Sequence, residues 1–81
     1  MELFLTKIFI KRYGDLPKGY QEKVKRLVES LPIFPTTGKK LSGNLSGHYS
    51  LRIGSYRILY MIKNEAIFVE TVNHRKEVYK R

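Results

Sequence analysis

The stretch that decides the fold runs Gly47-His48-Tyr49-Ser50-Leu51-Arg52-Ile53-Gly54-Ser55-Tyr56-Arg57-Ile58-Leu59-Tyr60. Two alternating runs, 49–53 and 56–60, flank Gly54-Ser55, and a two-residue connection that opens with glycine is what a type II′ hairpin turn requires. Closing an antiparallel hairpin on that pair sets Ile53 opposite Tyr56, Arg52 opposite Arg57 and Leu51 opposite Ile58. Because side chains alternate along a strand, Tyr49, Leu51, Ile53, Tyr56, Ile58 and Tyr60 share one face, the expected core. The other face then carries two arginines side by side. Directly opposed like charges repel across a strand pair. Either an anion sits between the guanidinium groups, or both splay into water, where exposed charges cost little.

Downstream, the second strand runs on to about Ile62, 63–66 turns, and Ile67 to Val72 reads as a further strand. With Asn64 and Glu65 in the turn, Tyr60 lies opposite Val69, Ile58 opposite Thr71 and Arg57 opposite Val72, which puts Phe68, Glu70 and Val72 on the arginine side. The chain then leaves the sheet beside the Gly54 turn. Asn73-His74-Arg75 emerges next to Arg57 and Arg52, so three arginines converge there.

Upstream, Glu2 to Thr6 reads as a first strand. Thr6 can cap a short helix whose apolar residues Phe9, Ile10, Tyr13 and Leu16 recur at helical spacing until Gly14 interrupts. Pro17 suits the start of a second helix, and Tyr20, Val24, Leu27, Val28 and Leu31 form a clean apolar stripe along it. Its solvent side mixes Lys18, Glu22, Lys23, Lys25, Arg26 and Glu29. Pro32 and Pro35 end it. Residues 36–47 are rich in Gly, Ser and Thr and read as a loop anchored by Leu41 and Leu45. Lys39 and Lys40 ride on that loop as mobile charges able to attract a phosphate backbone.

With 81 residues the chain is expected to be one domain, 1–81, whose small core leaves little room for an internal cofactor cavity. Lysine and arginine number 16 against 7 acidic residues, a net charge of +9 that points to a polyanionic partner. The absence of cysteine rules out disulfides, thiolate metal sites and a cysteine nucleophile. His48 reads as a surface residue. His74 could move a proton near neutrality or simply pack. Neither histidine has partners at metal-ligand spacing, so no metal and no small-molecule cofactor are expected. The N-terminal apolar run is too short for a signal peptide or a membrane span, and a cytoplasmic protein without a membrane partner is expected.

The set 49–60 followed by His74-Arg75-Lys76-Glu77-Val78-Tyr79, with the Leu16-Pro17 helix start and the Lys40-Leu41-Ser42-Gly43 approach, resembles the RelE/ParE superfamily of toxins from type II toxin-antitoxin systems. The resemblance implies an α+β fold, two N-terminal helices packed on one face of a small antiparallel β-sheet in the order β-α-α-β-β-β, with or without a short C-terminal strand. For the RelE-like branch it implies a ribosome-dependent mRNA endonuclease, or mRNA interferase, in which the 2′-hydroxyl attacks the adjacent phosphorus without a metal. Such a reaction needs a base for the 2′-hydroxyl, cations for the phosphorane and an acid for the leaving 5′-oxygen.

By the resemblance, Arg57 holds the scissile phosphate, Arg75 serves the leaving group, Arg52 is a basic strand position and Tyr79 is the base, unless Tyr79 only pins the chain end to the sheet. Lys39, Lys40, Ser50 and His74 are the remaining expected RNA contacts. Ser50 stands where this branch often has lysine. The competing function is a non-catalytic, ParE-like inhibitor of DNA gyrase. Either function implies a cognate antitoxin that brings acidic and apolar side chains to the basic face.

Overall fold

The structure, a computed structural model, describes residues 1–74. Arg75, Tyr79 and the optional C-terminal strand lie outside the described residues. The hairpin forms as its sequence demands: β3 (His48–Ile53) and β4 (Tyr56–Lys63) pair antiparallel with Ile53 opposite Tyr56, Arg52 opposite Arg57 and Leu51 opposite Ile58. Gly54 has φ +56° while Ser55 keeps a negative φ, the type II′ pattern. Glycine is required there twice over, since a Cβ would lie 2.6 Å from the Tyr20 hydroxyl of the second helix.

A second two-residue turn, Asn64-Glu65, has φ of +52° and +60°, the I′ pattern, and leads into β5 (Ala66–His74). Pairing starts as expected, with Tyr60 opposite Val69, and then shifts. Leu59 faces Thr71, Ile58 faces Val72 and Arg57 faces Asn73, so Glu70 is the extra residue of a β-bulge. The expected pairs Ile58–Thr71 and Arg57–Val72 are therefore corrected by one residue. Val72 turns to the core, where it is 2 % exposed, and Asn73 takes the place beside Arg57.

Among the described residues the sheet has five strands in the order β1-β5-β4-β3-β2. Its first strand, β1 (Glu2–Leu5), lies parallel to β5, while the other described pairings are antiparallel. At the other edge the expected loop contributes a two-residue strand, β2 (Lys39–Lys40), paired to Ser50 and Tyr49, followed by a single 3₁₀ turn at Gly43–Leu45.

Both helices cover one face. The Thr6 hydroxyl accepts from the Phe9 N–H (3.0 Å), capping α1 (Lys7–Gly14), and donates to the Glu70 carbonyl (2.7 Å) at the bulge. Pro17 precedes α2 (Lys18–Ser30), and the helices are tied together by Gln21, whose amide donates to the Tyr13 and Gly14 carbonyls. Phe9, Leu16, Val24, Val28 and Leu31 meet Ile53, Ile58, Tyr60, Ile67, Val69 and Val72 in the core. Burying each large apolar side chain contributes about 1.5–3 kcal/mol. No helix of the described residues is long and apolar enough to cross a membrane.

Candidate functional site

Alternation along the strands places the remaining side chains on the face opposite the helices. β3 gives it His48, Ser50 and Arg52; β4 gives Arg57, Leu59 and Met61; β5 gives Phe68, Glu70, Thr71 and Asn73. The face is graded. At one end Phe4 of β1 stacks on Phe68 with ring centroids 5.2 Å apart, beside Met61. At the other end, next to the Gly54 turn, Arg52 and Arg57 stand directly opposite each other, Arg52 exposed and Arg57 half-buried.

The other expected RNA contacts separate. Lys39 pairs with Ser50 and so belongs to the arginine face, whereas Lys40 pairs with Tyr49 and belongs to the opposite one. Ser50 is only 7 % exposed, which leaves its hydroxyl little contact with a ligand. His74 lies opposite Tyr56, and its ring meets that tyrosine edge-on at 5.6 Å, on the helix side of the sheet. Asn73, not His74, stands beside Arg57. Arg75 and Tyr79 fall outside the described residues, so Arg52 and Arg57 are the two of the proposed catalytic residues that the structure brings together.

Two residues of this region could not be picked out in sequence. His48 is not a bare surface residue: its Nε2 lies 3.0 Å from Glu70 Oε1, with the two side chains 18 % and 33 % exposed. The pair bridges across β4 and sets a carboxylate on the arginine face. Alternation already sets both residues on the arginine face, but they lie on strands that do not pair, and nothing in the local sequence of His48 announces the contact. The second is Arg12 of α1. β1 ends at Leu5, opposite Val69, which leaves the rest of β5 without a strand on that side. The Asn73 amide donates to Thr71 Oγ1 and to the Val72 carbonyl (3.1 Å) and accepts from the Arg12 guanidinium at 2.8 Å. Arg12, Asn73, Arg57 and Arg52 thus form a polar row across the turn end of the sheet.

The chain matches the family described as ParE toxin of type II toxin-antitoxin system, parDE, over residues 4–79. The chain belongs to this family of toxins. Within the wider RelE/ParE superfamily, it is 28 % identical to Toxin RelE3 of Methanocaldococcus jannaschii over 85 aligned residues, covering 98 % of this chain and 96 % of that protein. Toxin RelG of Mycobacterium tuberculosis is 41 % identical over 46 residues, 54 % of this chain and 53 % of that protein. The toxin-antitoxin complex RelBE2 from Mycobacterium tuberculosis contains a chain that superposes with a TM-score of 0.80 at 29 % identity, covering 91 % of this toxin and 96 % of that chain. The isolated Escherichia coli RelE toxin superposes at 0.79 with 24 % identity, covering 96 % and 89 %, which shows the shared fold. The two-helix, five-stranded α+β architecture of this toxin is the RelE fold.

Proposed function

We propose that this toxin is a ribosome-dependent mRNA endonuclease that cuts by attack of a 2′-hydroxyl on the adjacent phosphorus. The observation that carries the reading is the Arg52–Arg57 pair, opposed in register on the sheet face that the helices leave open. Two guanidinium groups opposed across a strand pair are placed to donate hydrogen bonds to one phosphate. Negative charge grows on the phosphoryl oxygens along the reaction, so the same pair is worth more in the transition state than with bound substrate. Arg57 is assigned to the scissile phosphate and Arg52 to its charge. Arg75, for the leaving 5′-oxygen, and Tyr79, as base, complete the assignment from outside the described residues. No metal is required by this scheme. Lys39 adds charge along the backbone path, while Lys40, Ser50 and His74 keep at most peripheral roles.

The test is cleavage of message on programmed ribosomes. Arg57→Ala is expected to lower the rate by at least about 100-fold, the usual effect of removing one oxyanion ligand. Undiminished cleavage by that variant would reject the mechanism. A second reading, inhibition of DNA gyrase, is favoured by the match to the ParE toxin family. It predicts accumulation of gyrase-linked broken DNA with intact message. Several structural relatives are complexes of a toxin with its antitoxin. By analogy we assign this toxin a cognate antitoxin that supplies acidic side chains to Arg52 and Arg57 and apolar ones to the Phe4–Phe68 end of the same face.

A further inference from the structure

The ion pair found among the described residues, His48–Glu70, lies on the open face and has no part in the steps assigned above. β4 runs between the strands of the two partners. His48 stands opposite Met61, and Glu70 falls beside the Leu59–Tyr60 step. To meet at 3.0 Å the side chains must reach over β4, so the carboxylate is held above that strand, between Leu59 and Met61. Arg57 projects from the same strand and the same face, about three residues nearer the Gly54 turn, or roughly 10 Å. As a strap, a partly exposed ion pair adds little to stability. On a face that takes phosphate, a carboxylate also repels the ligand. Its retention there calls for a chemical use.

The local hydrogen bonding says which partner is available. His48 Nδ1 is buried and has no hydrogen-bond partner, so the ring proton belongs on Nε2, which donates it to Glu70 Oε1. That nitrogen cannot reach a substrate. The Glu70 side chain is a third exposed, and its Oε2 makes no hydrogen bond among the described residues. We propose that Glu70 is the general base of the cleavage assigned above and that His48 is the positioning residue that holds its carboxylate over β4. This rests on the endonuclease reading and moves one assignment within it, the base, from Tyr79 to Glu70. Carboxylates are ionised at neutral pH, whereas a tyrosine serves as base only when its pKa is brought well below about 10. In the step, the 2′-O–H bond breaks and its proton passes to Oε2. The 2′-oxygen bonds to the phosphorus held at Arg57, the P–O5′ bond breaks, and the 5′-oxygen takes a proton from water. A 2′,3′-cyclic phosphate and a 5′-hydroxyl result, and Glu70 returns its proton to solvent. Laid end to end, a base-to-oxygen hydrogen bond, the approach of that oxygen to phosphorus and a phosphate–guanidinium contact come to about 10 Å, the span available.

The test is single-turnover cleavage of message on programmed ribosomes, with ribosome binding followed separately by sedimentation. Glu70→Gln, which still accepts the hydrogen bond from His48, is expected to lower the rate at saturating toxin by at least about 100-fold and to leave binding unweakened. Glu70→Ala is expected to be as slow, and added formate, which can occupy the emptied place beside His48, to restore part of its rate. Formate is expected to do nothing for Arg57→Ala. His48→Ala is expected to cost up to about 100-fold by misplacing the carboxylate, and His48→Gln, whose amide still donates to it, to recover most of that loss. Undiminished cleavage by Glu70→Gln, or a Glu70→Ala protein that formate fails to revive, overturns the inference. The endonuclease reading survives that result if the wild-type toxin cuts and Arg57→Ala does not. If the wild-type toxin cuts no message, both fall together.

Discussion

Tyr60 is fully buried, and its hydroxyl is used twice: it donates to the Pro35 carbonyl at 2.7 Å and accepts from the Gly38 N–H at 3.0 Å. One core side chain thus clamps the start of the 36–47 segment to the sheet, and β2 follows at once. Burial holds the phenol above its ordinary 10.0; the Gly38 N–H opposes that shift and the Tyr49 phenol adds to it. A group with a raised folded pKa contributes its stability fully below the unfolded value, and that contribution drains away as pH rises through the folded value. The toxin is therefore expected to lose stability above pH 10 by this route. Tyr60→Phe should cost about 1–3 kcal/mol at neutral pH, because it takes the partner from a part-buried carbonyl and an N–H, and should remove that alkaline component. Urea titrations of both proteins at neutral and alkaline pH check both points. The sequence placed Tyr60 in the core by alternation alone. It offered no hint of the clamp, because both partners lie more than twenty residues upstream in a stretch without periodicity.

At the level of the strands, the hairpin is legible in the sequence and the bulge is less so. Gly54-Ser55 admits one tight turn, the turn fixes the register, and the register fixes which residues pair, so the opposition of Arg52 and Arg57 followed from a single glycine. Unbroken alternation from the Asn64-Glu65 turn misplaces the end of β5, because the extra residue at Glu70 moves every later partner by one. The apolar spacing carried the clue: Ile67 and Val69 are two apart, but the next buried residue is Val72, three further on. A bulge was the way to keep all three on the core side. The Asn73–Arg12 contact depends on it, because only the shift brings Asn73 to the side of Arg57, and so that contact is not visible in the sequence. The Gly54 turn also yields a prediction at this level. Gly54→Ala must adopt a left-handed conformation and push aside the Tyr20 ring, and is expected to cost about 1–3 kcal/mol in denaturant titration. Cleavage should fall more steeply than stability, because the turn also sets the spacing of the arginine pair.

For the molecule as a whole, the net charge of +9 is plain from composition, and strand alternation already sets Phe68 and Glu70 on the side of the arginines. The sheet face carries the opposed arginines, but it also carries Glu70 and an aromatic pair, so it is a graded surface and not a uniformly basic one. Binding to ribosomes is expected to weaken by at least about tenfold between 50 and 200 mM salt if several phosphate contacts form, a dependence measurable by sedimentation. The helices, the first strand and the sheet class were legible because each has its own local period or cap. The parallel seating of β1 was not, since it joins the two ends of the described chain.

That seating has a consequence for how the protein is made. Among the described residues β1 finds its strand partner in β5, and Thr6 caps α1 while reaching a carbonyl 64 residues away. A nascent polypeptide emerging N-terminus first must hold its opening strand unpaired until the final one has cleared the exit tunnel, and contacts of such long range close late. A newborn chain therefore cannot seat its first strand, or join the Thr6 hydroxyl to the Glu70 carbonyl, until residues 66–70 have left the tunnel, so the order of synthesis itself delays completion of the sheet.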